Sequence, residues 1–373
     1  MKKVVSIALA LLMVAVMLPV MAMAAEVTTA EDLKAAVAAG GEVTLGDNIT
    51  ASITIPKDKT VTLNLNGKTL TNEADMDTIT VALGGTLTIE GTGTVDNDSH
   101  GRAAVYNNGT VTINGGTYTR SAEKGTGKDP DSNNGNSWYT ICNHGVMTVN
   151  AGVTVTNTGT FSSVFENGYQ SYTGNNERSN YVAGTNNAAP ALTINGGTFE
   201  GGKITIKNDD GGILKIGGGR FTNNGNRVVF NANKAEINGG EFYCPATYFG
   251  NEIAVDTLYA DGGQNAGQLT ITGGTFDGKV TQSNGAVTTV SGGTFKKGVD
   301  KSYIVDGKKL DANGNVVPDT ITIIVPSEGG NTTTTPSTDN TKNPSTGAND
   351  FVGVAAAMAV ISLLGAAAVI RKK

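Results

Sequence analysis

Charge is scarce in this 373-residue chain, and cysteine is almost absent. The 27 basic residues are outnumbered by 33 acidic ones and form no stripe, and no aromatic RNA-binding motif is present; nucleic acid is disfavoured as a partner. The net charge of −6 also argues against a polyanionic substrate. Only Cys142 and Cys244 could form a disulfide. Apolar runs long enough for a membrane are missing except at the two ends. Glycine, by contrast, occurs 51 times, about twice the average usage.

Much of that glycine belongs to one recurring phrase. It reads VTINGGTY from Val111, LTINGGTF from Leu192 and LTITGGTF from Leu269, with degenerate copies LKIGGGRF from Leu214, AEINGGEF from Ala235 and TTVSGGTF from Thr288. The base period is about 20 to 24 residues, with three enlarged turns. Ahead of each turn, one apolar column runs through Leu45, Leu65, Ile89, Ile113, Val149, Ile194, Ile216, Ile237, Ile271 and Val290. A second runs through Val43, Leu63, Leu87, Val111, Met147, Leu192, Leu214, Ala235, Leu269 and Thr288. Residues two apart on a strand share a face, so both columns point inward and the mostly Thr column between them points outward.

Short strands recurring at this period predict an all-β fold: a single-stranded right-handed parallel β-helix of about ten coils over residues 25–300. Successive coils lie about 4.8 Å apart. Lys215 and Glu236 should then form a surface ion pair, the Asn before each Gly-Gly a stack, and Phe199, Phe221, Phe242, Phe276 and Phe295 an aromatic column. The Asn is also expected to accept a left-handed corner backbone. Cys142 and Cys244 fall roughly 14 Å apart in such a stack, too far for a disulfide, so both read as buried thiols. Thr28 with Glu31, Leu33, Ala36, Val37 and Gly40 predict a short N-terminal capping helix. Strands and hairpins around Tyr303–Val305, Asp306-Gly307, Asn313-Gly314 and 320–325 should close the other end, giving a cap over 301–325.

The opening stretch TTAEDLKAAVAAGGEVTLGDNITASITIPKDKTVTLNLNGKTLT resembles the first coils of pectate-lyase-like right-handed β-helix proteins. The GGTF copies are similar to those in Gram-positive surface proteins of that superfamily. The resemblance spans roughly residues 26 to 300. It implies a fold more than an activity, because the superfamily includes lyases, hydrolases, adhesins and phage spikes.

Both ends read as addresses. Residues 1–24, with Lys2, Lys3, an apolar core and Ala22-Met23-Ala24, read as a signal peptide cut between Ala24 and Ala25. A polar linker over 326–342 leads to Asn343-Pro344-Ser345-Thr346-Gly347, an apolar run 351–370 and Arg371-Lys372-Lys373. The segment 343–373 resembles a cell-wall sorting signal, with Asn where Leu is common. The resemblance implies that a sortase cuts after Thr346 and joins it to peptidoglycan, the membrane serving only as a sorting intermediate. Processing at both ends takes the net charge to about −10. The expected location is extracellular and wall-anchored.

Chemistry is harder to find. Glycosidases of the resembling fold imply carboxylates on neighbouring coils followed by His-Gly and Arg-x-Lys. Here Asp209-Asp210 is the one acidic pair of that kind, His100-Gly101 and His144-Gly145 precede it, and no Arg-Ile-Lys follows. Glu200 and Asp277 share a register position but stand three coils apart, beyond the 5 to 9.5 Å of paired glycosidase carboxylates. Asp96, Asp98, His100 and Arg102 read as a turn with satisfied side chains or as part of a lyase site. Asp129, Asp131 and Asn133 resemble the start of a Ca²⁺ loop, but Thr140 stands where a bidentate Glu belongs. Ca²⁺ is thus the one cofactor suggested.

The enlarged turns, about 119–141, 158–189 and 243–266, carry Trp138, Tyr139, Tyr169, Tyr172, Tyr181, Tyr243 and Tyr248 among many Asn, Ser and Gly residues. Loops on a rigid scaffold commonly hold function, and aromatic faces with amides suit sugar or protein recognition. Packing of these aromatics under their own loops is the alternative. The sequence therefore points to an adhesin or glycan-binding surface protein. A polysaccharide-degrading enzyme and a structural spacer are the alternatives, and the phrase itself is expected to carry little chemistry.

Overall fold

Alternation of apolar residues with β-branched Thr, as in Thr86-Leu87-Thr88-Ile89, suits a pleated strand with one buried face. Such strands recur in threes along the chain. The structure is a computed structural model that describes residues 25–121, 138–157, 163–168, 190–209, 211–223, 225–245, 250–258, 267–283, 285–321 and 335–336. Each full coil gives one strand to each of three sheets, which hold eleven, ten and nine strands among the described residues, and neighbouring strands within each sheet lie on successive coils. Pairing is parallel throughout these sheets, as from Leu192 to Leu214 in the first, Phe199 to Phe221 in the second and Ile206 to Val229 in the third. The fold is a parallel β-helix.

The first sheet holds the expected apolar columns with one correction. Leu63 was expected beside Leu87, but it pairs with Ile89, and Val61 takes the place beside Leu87. The first two coils are therefore displaced by two residues. An even slip leaves every side chain on its own face, so Val43, Leu63 and Leu65 are still buried. Lys215 and Glu236 pair in register, 4.0 Å apart and well exposed, where an ion pair contributes little.

The second sheet builds the core from aromatic rings. Phe199, Phe221, Phe242, Phe276 and Phe295 are fully buried and stack at centroid spacings of 4.9, 4.8, 4.8 and 4.8 Å, with interplanar angles of 4 to 8°. Tyr118, two strands before Phe199 in the same register, donates its hydroxyl to the Gly115 carbonyl at 3.0 Å. That bond satisfies a buried polar atom that Phe does not have.

Between the first and second sheets the chain turns through Gly-Gly, and the two glycines serve different needs. A Cβ on the first would strike the coil before it: at Gly239 it would lie 2.3 Å from the Gly217 carbonyl oxygen, and at Gly292 2.1 Å from that of Thr272. The second, such as Gly240, has φ of 100°, where a side chain is strained. The marker Asn does not carry the left-handed turn as expected; of these residues only Asn66 has positive φ. Its role is the stack: Asn195 donates to Asn150 at 2.8 Å and Asn150 to Asn114 at 2.7 Å.

The ends are closed as helices and hairpins can close them. Ala25–Val27 adds a rung before the first full coil, pairing with Val43–Leu45. Helix α1 (Ala30–Ala39) then buries Leu33 and Val37 against the core. Its N-cap is Thr29, not Thr28: Thr29 Oγ1 accepts from the Asp32 amide at 3.1 Å, so the helix start lies one residue later than expected. Gly40, with φ of 88°, ends it. At the far end Tyr303 belongs to a 3₁₀ turn, Lys301–Tyr303, rather than a strand, and Ile304 bridges to Val290. The Asn313-Gly314 turn joins antiparallel strands Lys308–Leu310 and Val316–Pro318. Residues from Asp319 form a separate unit, in which Thr320–Ile321 pairs with Thr335–Pro336.

Candidate functional site

The outer face of the second sheet carries two columns of side chains. One passes through Thr198, Arg220, Glu241, Thr275 and Thr294, the other through Glu200, Thr222, Tyr243 and Asp277. In the first column Arg220 and Glu241 stand where most copies of the phrase have Thr. They are register neighbours, both exposed, and among the described residues neither side chain has a hydrogen-bonding or ionic partner. In the second, Tyr243 is 43 % exposed, and Lys296 donates to Asp277 at 3.1 Å.

Two cavities share this surface. A shallow, open groove of about 820 Å³ follows the Gly-Gly corner, floored by Gly197, Gly219, Gly240, Gly274 and Gly293 and flanked by Arg220, Glu241, Thr275 and Thr294. A second, of about 350 Å³, opens beside it between Arg220, Glu241, Tyr243, Asp277 and Lys296. The phrase expected to carry little chemistry lines this groove. Its lack of side chains leaves backbone as the floor.

The third sheet has a different outer face. Tyr106, Cys142, Glu166, Lys207, Phe230, Asp256 and Thr281 follow one another in register. Several of these polar groups are buried, and they are linked. Tyr106 shares a hydrogen bond with His144 Nδ1 at 3.2 Å, and His144 Nε2 lies 3.7 Å from Glu166 Oε2. Lys207 Nζ donates to the Tyr139 hydroxyl at 3.0 Å and stands 2.9 Å from Asp209 Oδ2. Neither oxygen of Asp209 accepts a well-directed hydrogen bond, yet the carboxyl is wholly buried.

Glu166 neighbours that carboxyl and bears on its charge. Burial pushes Asp209 up to about 7; Lys207 opposes the rise, and the charge and hydrogen bond of Glu166 reinforce it. Two adjacent carboxyls resist ionising together in a dry site, which favours the protonated form of Asp209. Lys207, disfavoured as a cation by burial, is nevertheless held above its usual range by Tyr139, Asp209 and Glu166. The cluster is an acid pair neutralised by one ammonium. Further along, Asp256 accepts from Arg227 Nε at 2.6 Å and from Thr281 Oγ1 at 2.7 Å.

The sequence-derived candidates divide unevenly. Asp209 lies in the buried cluster; its proposed partner Asp210 lies outside the described residues. Tyr139 is buried, and Trp138 packs with it in a satellite cluster with Ala103, Cys142 and Tyr106. Asp129, Asp131, Asn133, Tyr169, Tyr172, Tyr181 and Tyr248 lie outside the described residues. So do Ala24, the sorting residues Asn343, Pro344, Ser345, Thr346 and Gly347, and the apolar run 351–370. Among the described residues no helix is long and apolar enough to cross a membrane. No group of three or more His, Cys, Asp or Glu among them is placed to hold a metal.

Asp96 closes the strand Thr94–Asp96 rather than a turn, and its carboxylate is satisfied by Thr119 and Ser121. Glu200 and Asp277 stand three coils apart, as expected. Neither Cys142 nor Cys244 forms a disulfide; both are buried, and burial pushes the Cys244 thiol up.

Arg220, Glu241 and the cluster residues Tyr106, Glu166 and Lys207 were not singled out from the sequence, and His144 was noted only as a His-Gly pair ahead of Asp209. For the first two a signal existed: GGR and GGE break the GGT pattern at one position. No protein family model, curated protein or solved structure matches this chain.

Proposed function

We propose that this chain is an extracellular, wall-anchored protein that binds a glycan in the groove along its Gly-Gly corner. The signal-peptide and sorting-signal features of the two ends support the location. The observation that carries the binding reading is the unpartnered pair Arg220 and Glu241, which walls both cavities beside the exposed ring of Tyr243. Sugars present hydroxyls that take hydrogen bonds from guanidinium and give them to carboxylate, and C–H faces that lie on an aromatic ring. All three kinds of contact converge here, with polar groups few and fixed by strands.

Binding is favoured over cleavage by how the carboxylates are held. Glu166 and Asp209, the acid pair brought together, are buried with Lys207, while half-buried Asp277 is held by Lys296. A glycan array probed with the intact chain tests the proposal. Retention of one glycan class, lost when Arg220, Glu241 and Tyr243 are all changed to Ala, supports it; equal retention by that variant overturns it.

A further inference from the structure

We infer that the ligand is a neutral, extended polysaccharide of the β-1,4-linked kind, lying along the coil axis with about one sugar per coil. This rests on the reading that the groove binds a glycan, and it follows from the groove's period, ends and charge.

The period comes from the core beneath. From Phe199 to Phe295 the rings repeat every 4.8 to 4.9 Å and turn by no more than 8° between coils. The groove above therefore repeats by almost pure translation. A polymer that stays in step with the coils must advance by about one strand spacing per unit and stay nearly straight. β-1,4-linked sugars form such a ribbon, with alternate units turned over, so like hydroxyls return to the groove at every second coil. α-1,4-linked glucans coil, and after one or two units their hydroxyls leave the row of side chains.

The groove is also finite. Its floor is five glycines long, from Gly197 to Gly293. At the N-terminal end, Val149 pairs with Ile194 and Thr154 with Thr198. Between those pairs stand Asn150-Ala151-Gly152-Val153 against Asn195-Gly196-Gly197, one residue more. The longer corner breaks the floor. At the other end Asn315, bound by Thr294 Oγ1 at 2.8 Å, lines the groove from the closing hairpin. Between these stops lies room for about four or five sugars at one per strand spacing.

Charge sets the last property. Arg220 and Glu241 sit on adjacent coils, so they meet neighbouring sugars of one chain. A uniform polyanion would place one unit against Glu241, and a uniform polycation would place one against Arg220. A neutral, hydroxyl- or acetamido-bearing chain satisfies both.

The test is a length series measured by titration calorimetry on the intact chain. The probes are β-1,4-linked glucose and N-acetylglucosamine oligomers of two to seven units, with α-1,4-linked glucose oligomers of equal length beside them. Affinity for one β-1,4 series should rise with each unit to four or five and then level. The α-1,4 series should bind at least about tenfold more weakly at equal length. Thr275→Phe, which plants a ring in the middle of the wall, should remove the gain of the longer oligomers and spare that of the shortest. A plateau already at two units, or equal binding of both linkages, overturns the inference and leaves glycan binding standing. No binding of any sugar in the series or on the array overturns both.

Discussion

Arg220 and Glu241 are register neighbours on parallel strands, carry opposite charges, and do not pair. Lys215 and Glu236, one sheet away on the same two coils, hold the same relationship and approach to 4.0 Å. The difference is one of availability. Surface ion pairs between long side chains contribute little, so leaving Arg220 and Glu241 apart sacrifices almost no stability and keeps a donor and an acceptor ready beside the groove.

Arg220→Ala and Glu241→Ala should each weaken glycan binding about tenfold, the loss expected for one well-made hydrogen bond to a charged group. Neither should change unfolding stability by more than about 0.5 kcal/mol, as both are exposed and unpartnered. Calorimetry and urea unfolding on the same preparations check the two halves. Lys215→Ala is the control and should alter neither.

Phe242 should be the opposite case. Its ring stacks at 4.8 Å on Phe221 and on Phe276 and is buried. Phe242→Ala leaves a hole between two flat rings that strand pairing stops from closing, with an expected loss of about 3 to 5 kcal/mol. Phe242→Leu should cost less, by the volume it restores. Urea midpoints of the two variants rank them.

Asp209 makes stability depend on pH in an unusual direction. Its carboxyl is held up to about 7 in the folded chain against an ordinary 3.8. The folded state therefore holds the proton more tightly than the unfolded state. This contribution is fully present below the ordinary value, declines as pH rises, and is lost once pH passes through about 7. Glu73, Asp300 and Asp311, all held below the usual range by their hydrogen bonds, work the other way. The informative quantity is thus the difference between the parent and Asp209→Asn. That difference should shift in favour of the variant between pH 4 and pH 8 (a window about the cited values), read as urea midpoints. A pH-independent difference would rule out the raised Asp209 carboxyl.

What could be read ahead of the structure follows from where the chain repeats itself in phase. Thr-Leu-Thr-Ile before Gly-Gly states inward and outward faces outright, so the first sheet, the phenylalanine column and the Lys215–Glu236 pair were legible. Register between coils was less so: Leu63 beside Leu87 or Ile89 satisfies the same alternation, and only the backbone pairing decides. The rung Ala25–Val27 has three residues and no turn marker, so nothing announces it. The third sheet lacks a phrase altogether. Five of its nine strands end in Asn107, Asn143, Asn167, Asn208 and Asn231, but Tyr106, Cys142, Glu166, Lys207 and Phe230 before them have nothing in common. The buried cluster therefore emerges only when the strands are stacked.

Those closing asparagines support the last prediction. Each passes a hydrogen bond along the stack: Asn107 to Asn143, Asn143 to Asn167 and Asn167 to Asn208, all at 2.7 Å, then Asn208 to Asn231 at 2.8 Å. All five are buried. Asn167 also donates to the Ile213 carbonyl at 3.1 Å. Asn167→Ala would leave the Asn208 side-chain oxygen without the Asn167 donor and one Asn143 N–H without its acceptor, in a place water does not reach. Unmade buried hydrogen bonds are costly, so a loss of about 2 to 3 kcal/mol is expected. Asn150→Ala breaks a ladder of the same geometry in which solvent can replace the lost partner, and it should cost less than about 1 kcal/mol. Hydrogen bonding alone makes the two equal; burial separates them. Urea unfolding of both variants decides which governs, and equal losses would show that the buried ladder is not the stronger of the two.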